Sequence, residues 1–136
     1  MTSAAIELQK AVLTALSADA ALGILMGEVR IHDHAPADVV FPYLTFGRTT
    51  VHDWSTDTEI GSEHIFTIHA WSKVKGKGEV LALAATVKSV LADADLELDG
   101  HLLINLRFEF EDVRYNDDLS VYHAMVRFRA VTEPAP

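Results

Sequence analysis

The last third of the sequence restricts the fold most. Over residues 101–112 apolar and polar residues alternate, with Leu102, Ile104, Leu106, Phe108 and Phe110 on one side and His101, Asn105, Arg107, Glu109 and Glu111 on the other. Residues 121–131 repeat the pattern, with Tyr122, Ala124, Val126, Phe128 and Ala130 facing inward and His123, Met125, Arg127 and Arg129 outward. A period of two marks a strand with one buried face. Between the two runs, Asn116-Asp117-Asp118-Leu119 has turn chemistry, because Asn and Asp side chains bond their own backbone. The segment reads as a long antiparallel hairpin. A loop at residues 117–119 sets Glu109 opposite Arg127, a favourable cross-strand pair. Each strand exceeds the usual length of roughly five or six residues, and the excess is read as surface for another chain.

The rest of the chain supplies helices and three more strands. Ala5, Leu8, Val12, Ala15 and Leu16 fall at helical spacing over residues 3–17, with Thr2 or Ser3 as the cap. Residues 19–26 read as a short second helix ended by Gly27. Residues 29–32 and 43–52 are strand-like, separated by a loop containing Pro36 and Pro42. Residues 63–72 carry apolar groups on both faces, which predicts a strand in the middle of a sheet, partly covered on both sides, with Trp71 in the core. Residues 79–92 form the third helix, with Val80, Leu83, Ala84, Val87 and Leu91 as its stripe, and it is predicted to pack on Phe66, Ile68, Phe108 and Phe128. The expected architecture is α+β: a mostly antiparallel sheet with helices packed on one face and a long C-terminal hairpin. One domain spans residues 1–132, and residues 133–136 form a frayed tail.

Composition then removes whole classes of function. The chain of 136 residues has no cysteine, which excludes a disulfide scaffold, a thiol nucleophile and an iron–sulfur cluster. Twenty acidic residues against eleven basic ones leave a net charge of −9, the wrong sign for gripping a phosphate backbone. No run approaches the ~18 apolar residues a membrane span needs, and the N-terminus lacks the basic start of a signal peptide.

Candidate chemistry is sparse. His32 and His34 share a strand face and could ligate a metal together, but no spacing selects a third ligand, so neither a metal nor any cofactor is expected. No G-x-S-x-G elbow accompanies the serines, and Gly76-Lys77-Gly78 lacks the spacing of a phosphate loop. No catalytic residue is assigned. The residues left as candidates for interfaces are Trp54, an aromatic in a polar loop; Lys73, Lys75 and Lys77, a clustered basic turn; and Arg107, Glu109, Arg127 and Arg129 on the outward face of the hairpin.

Four stretches together resemble one known family. They are ALSADAALGILMG, VRIHDHAPADVVFPYLTFG with its Phe-Pro-Tyr, EHIFTIHAWSKVKGKGEVLALAATVKSVL, and the closing LRFEFEDVRYNDDLSVYHAMVRFRAV. The pattern resembles the tail-completion or tail-terminator proteins of long-tailed phages and of phage-derived gene transfer agents. The resemblance implies a non-enzymatic virion protein made in the host bacterial cytoplasm. It further implies a hexameric ring on the head-proximal end of the tail, contacting the tail-tube protein and the head-completion or connector protein. DNA would pass through the lumen without specific binding. The competing reading is a small dimeric α+β module or enzyme that binds a metabolite or a metal.

Overall fold

The computed structural model describes residues 3–136. The chain opens with α1 (Ala4–Ser17), whose first turn is closed by the Ser3 hydroxyl accepting the Ile6 N–H at 3.2 Å. Thr2, the alternative cap, lies outside the described residues. The Asp19 carboxylate caps α2 (Ala20–Met26), and Gly27, at φ 77°, ends it in a conformation that only glycine adopts at no cost. Then follow β1 (Ile31–His32), β2 (Tyr43–Asp53), β3 (Ser62–Ser72), α3 (Gly78–Leu91), β4 (His101–Asn116) and β5 (Val121–Pro134). Order and type agree with the sequence reading. The first strand is shorter than expected and runs parallel to β2, while the other pairings are antiparallel.

The strands form one sheet in the order β1-β2-β3-β5-β4. The chain leaves β3 through α3, lays β4 on the far edge, and folds β5 back into the gap. That places β3 in the middle, as predicted. Leu8, Val12 and Leu16 of α1, Leu22 of α2, and Val80, Leu83, Val87 and Leu91 of α3 are sealed against Leu44, Phe66, Ile68, Val126 and Phe128 of the sheet. Phe66 and Phe128 stack with centroids 5.5 Å apart. Phe108 faces the helices as expected but lies at the rim, 37% exposed, with the Lys88 ammonium 4.4 Å above its ring.

Four details correct the sequence reading. The helices cover only one face of β3, so Trp71 lies on the opposite, uncovered face and not in the core. The hairpin turns through residues 117–120, with Asn116 paired to Val121. Two bulges, at Ile104 and Glu109, interrupt β4, so the predicted register holds only from Asn105 to Phe108. A bulge adds a residue to one strand and turns the following side chains over, which leaves Leu102, Ile104 and Phe110 between 41% and 49% exposed instead of buried. Finally, Glu133 and Pro134 are not frayed: they pair with Leu102 and His101.

Candidate interaction face

The uncovered face of the sheet collects most of the side chains that alternation pointed away from the core, but Glu111, turned over by the second bulge, lies on the helix side and pairs with Lys88 of α3 at 3.1 Å. At one end Tyr43, Trp71 and His123 sit side by side on β2, β3 and β5. The imidazole of His123 lies flat on the Trp71 indole, centroids 3.9 Å apart and planes within 1°. Its Nε2 is 2.6 Å from Nδ1 of His69, and the Trp71 N–H donates to Thr45 at 3.1 Å. Burial disfavours charge on both rings. It pushes His123 down to about 4, helped by the nearby charges of His69 and Arg114 and opposed by Asp112. Burial lowers His69 as well. At neutral pH the pair is therefore uncharged, one ring donating to the other. Gly47, in the irregular stretch of β2, makes room for it: a Cβ there would collide with the His69 ring.

The rest of the face is charged. Five of the six arginines lie on it: Arg48 on β2, Arg107 and Arg114 on β4, and Arg127 and Arg129 on β5. Arg127 pairs with Glu109 at 2.8 Å, Arg129 with Glu63 at 2.6 Å, and Arg114 with Asp112. Arg48 and Arg107 have no ion-pair partner among the described residues, and Arg107 stands directly opposite Arg129. Like charges facing one another across a strand pair are unfavourable in the isolated sheet.

The expected interface residues fall into two groups. Trp54, Arg107 and Arg129 meet at one end, where the Arg129 guanidinium covers the Trp54 ring at 5.0 Å and Ile104 and Ile60 line the same depression. Arg127 and Glu109 are paired as the sequence indicated, although Glu109 reaches across from its bulge. Lys73, Lys75 and Lys77 stand apart, beyond the opposite end of β3, about 33 Å away at 3.3 Å per residue. Lys73 lies 4.5 Å over the Phe41 ring, and all three lysines are exposed. His32 stands edge-on to Tyr43, and no group of three His, Asp or Glu side chains among the described residues is arranged to hold a metal.

The Phe-Pro-Tyr segment also acquires a structural reason. Arg30 donates to the carbonyls of Met26, Val40, Phe41 and Pro42, tying the loop that leads into β2 to the end of α2. Residues 10–133, nearly the whole of this architecture, match the family described as tail completion protein gp17. The chain belongs to that family. It is a structural protein of the virion tail. A solved chain from the virion of a native gene transfer agent particle is 31% identical to this tail completion protein and superimposes with a TM-score of 0.88, over 98% of this chain and 99% of that one. A second solved chain, 12% identical, shares the fold at a TM-score of 0.62, with 99% of each chain covered. No curated protein matches.

Sequence reasoning on this tail completion protein missed Arg48, Arg114 and the His69–His123 pair as parts of the face. One signal was available for the arginines: all but Arg30 lie in strands, whereas Lys10, the 73–77 lysines and Lys88 do not. Nothing local announces the histidine pair, whose members are joined only by the β3–β5 pairing.

Proposed function

We propose that this tail completion protein assembles as a ring of six copies on the head-proximal end of the tail tube. There it ends tube growth and meets the head-completion or connector protein. The observation that carries the reading is the end-to-end likeness, at 31% identity, to a chain of a gene transfer agent virion. The chemistry of the face supports it. Most of its polar groups are spent on one another, in ion pairs and a stacked ring pair, and none is arranged as nucleophile, base and orienting group. The protein therefore acts by shape and contact, not by catalysis.

DNA passes through the ring and is not held. Each phosphate contact would have to break for the duplex to advance, and a chain of net charge −9 repels the backbone at long range. The turn bearing Lys73, Lys75 and Lys77 then faces a protein partner outside the lumen. Cryo-microscopy of particles tests the reading: six copies are expected at the junction of tail and head. A two-fold or three-fold arrangement, or no copy there, would reject it. Duplex DNA should show no gel shift at physiological salt. A sub-micromolar shift lost on changing the three lysines to Gln would place that turn in the channel.

A further inference from the structure

Two features of the chain have opposite charge and carry groups with no ion-pair partner among the described residues. The first is a shallow basin of about 460 Å³ on the uncovered sheet face, lined by Arg48, Thr50, His52, Thr67, His69 and Arg127, with no carboxylate in its lining. Along β5, Arg129 follows Arg127 on the same face, at a spacing of about 6.6 Å for residues two apart on a strand. Arg107, facing Arg129 across the ladder, has no ion-pair partner among the described residues, although Glu59 and Glu133 line the same depression. On this face the five arginines meet four carboxylates of the strands, Glu63, Glu109, Asp112 and Glu133, with Glu59 beside Arg107 and Arg129 at one end, so the stretch free of carboxylates is the basin around Arg48.

The second feature is the connection from α3 to β4. Asp93, Asp95, Glu97 and Asp99 are all exposed, while Leu96 and Leu98 turn inward, Leu98 into the core. The segment is an anchored ridge with a carboxylate at every second position, and none of the four has an ion-pair partner among the described residues. Asp93, at φ 60°, and Asp99 sit in turns at the two ends of the segment, with Asp95 and Glu97 between them. The ridge is fixed to the core by its leucines, on the helix side of the sheet, so it is not available to the bare face of its own chain.

We propose that the arginine-lined sheet face of one copy receives the acidic ridge 93–99 of a second copy. The contact is head-to-tail, since the two surfaces differ, and contacts of that type close into rings when the rotation permits. The proposal deepens the ring reading above and rests on it. It identifies what the unpaired Arg48 and Arg107 are for: they receive carboxylates of the second copy.

The absence of cysteine makes the test clean. Arg48→Cys and Glu97→Cys are introduced together into the full chain, both at exposed positions without partners, and particles assembled with it are oxidised. A ladder of disulfide-linked copies that ends at the ring size is expected. Particles that contain the protein but give no ladder overturn this interface and leave the ring standing. Particles that lack the protein at the junction overturn the ring and the interface with it. As a second measurement, Arg48→Glu should reduce incorporation at least ten-fold, and adding Glu97→Arg to the same chain should restore it. Failure of the restoration also counts against the proposal. If purified protein instead binds duplex DNA below micromolar and Arg48→Glu abolishes that binding, the face serves the phosphate backbone and the proposal is wrong.

Discussion

On the covered side of the sheet, Leu44, Ile68, Val126 and Phe128 are at most 1% exposed. One residue along the same strands, Thr45, His69, Met125 and Arg127 point the other way and are only partly covered. The same ladders thus carry two surfaces of opposite kind. The covered side is complete: its apolar area is removed from water by α1, α2 and α3, and nothing further is needed to keep it folded. The uncovered side is tolerable in water but unfinished. Its rings stack and its charges pair within the face, yet two guanidinium groups remain unmatched. The difference separates what holds the chain together from what it offers to other molecules.

The largest effect should come from the covered side. Phe128→Ala removes a fully buried ring stacked on Phe66 and should cost ~3–5 kcal/mol in urea unfolding. Met125→Ala, next door on the other face, should cost less than ~1.5 kcal/mol. Equal costs would mean that the two faces are equally buried in the free chain and would end the comparison.

A smaller loss tests whether the bare face has a fixed arrangement. Gly47→Ala places a methyl group against the His69 ring, and the strain should cost ~1–3 kcal/mol, as overpacking does. The imidazole resonances of His69 and His123 should move together in NMR spectra. Movement of one without the other would show that the short contact between them does not hold in solution.

Acid should then act on three histidines at once. Burial lowers His64, with a further push from His101, and it lowers His69 and His123 too. For His123, between about pH 4 and 6.5 the unfolded chain binds a proton and the folded ring does not, so stability rises with pH across that window, and the lowered His64 and His69 act in the same direction. The contribution is complete above pH 6.5 and disappears as pH falls toward 4. For the half-covered His123 the change is on the order of 1–2 kcal/mol after solvent screening. His123→Gln should flatten this part of the profile, and an unchanged profile would remove His123 as a source.

The smallest effect belongs to the ion pairs. A double-mutant cycle on Glu63 and Arg129 should give a coupling of about 0.5–1 kcal/mol, the range of partly exposed pairs. A coupling of several kcal/mol would mean that the bare face contributes to stability on the scale of the core.

Most of the architecture was legible in the sequence because helices and strands have different periods, and both periods are clean here. The stripe Val80, Leu83, Val87 and Leu91 and the alternation through Phe128 each admit one geometry. The bulges were not legible. Ile104 and Glu109 keep the local alternation intact, and only the count of residues on the partner strand reveals the extra one, so Phe110 was assigned to the wrong face. The uncovered face was legible as a list of outward residues but not as a constellation. Trp71 meets His123 because β5 is inserted beside β3, a long-range pairing that no local pattern encodes. Residues 133–134 look frayed because they carry Glu and Pro, yet β4 is long enough to reach them.

The bulges of β4 have a consequence for solubility. β4 is an edge strand of sixteen residues with apolar side chains at its rim, the kind of backbone on which foreign strands nucleate and fibres grow. Each bulge breaks the straight run of outward N–H and C=O groups, so an intruding strand finds only short stretches to match before the phase is lost. The two extra residues, Ile104 and Glu109, thus act as gatekeepers against amyloid-like growth along this edge.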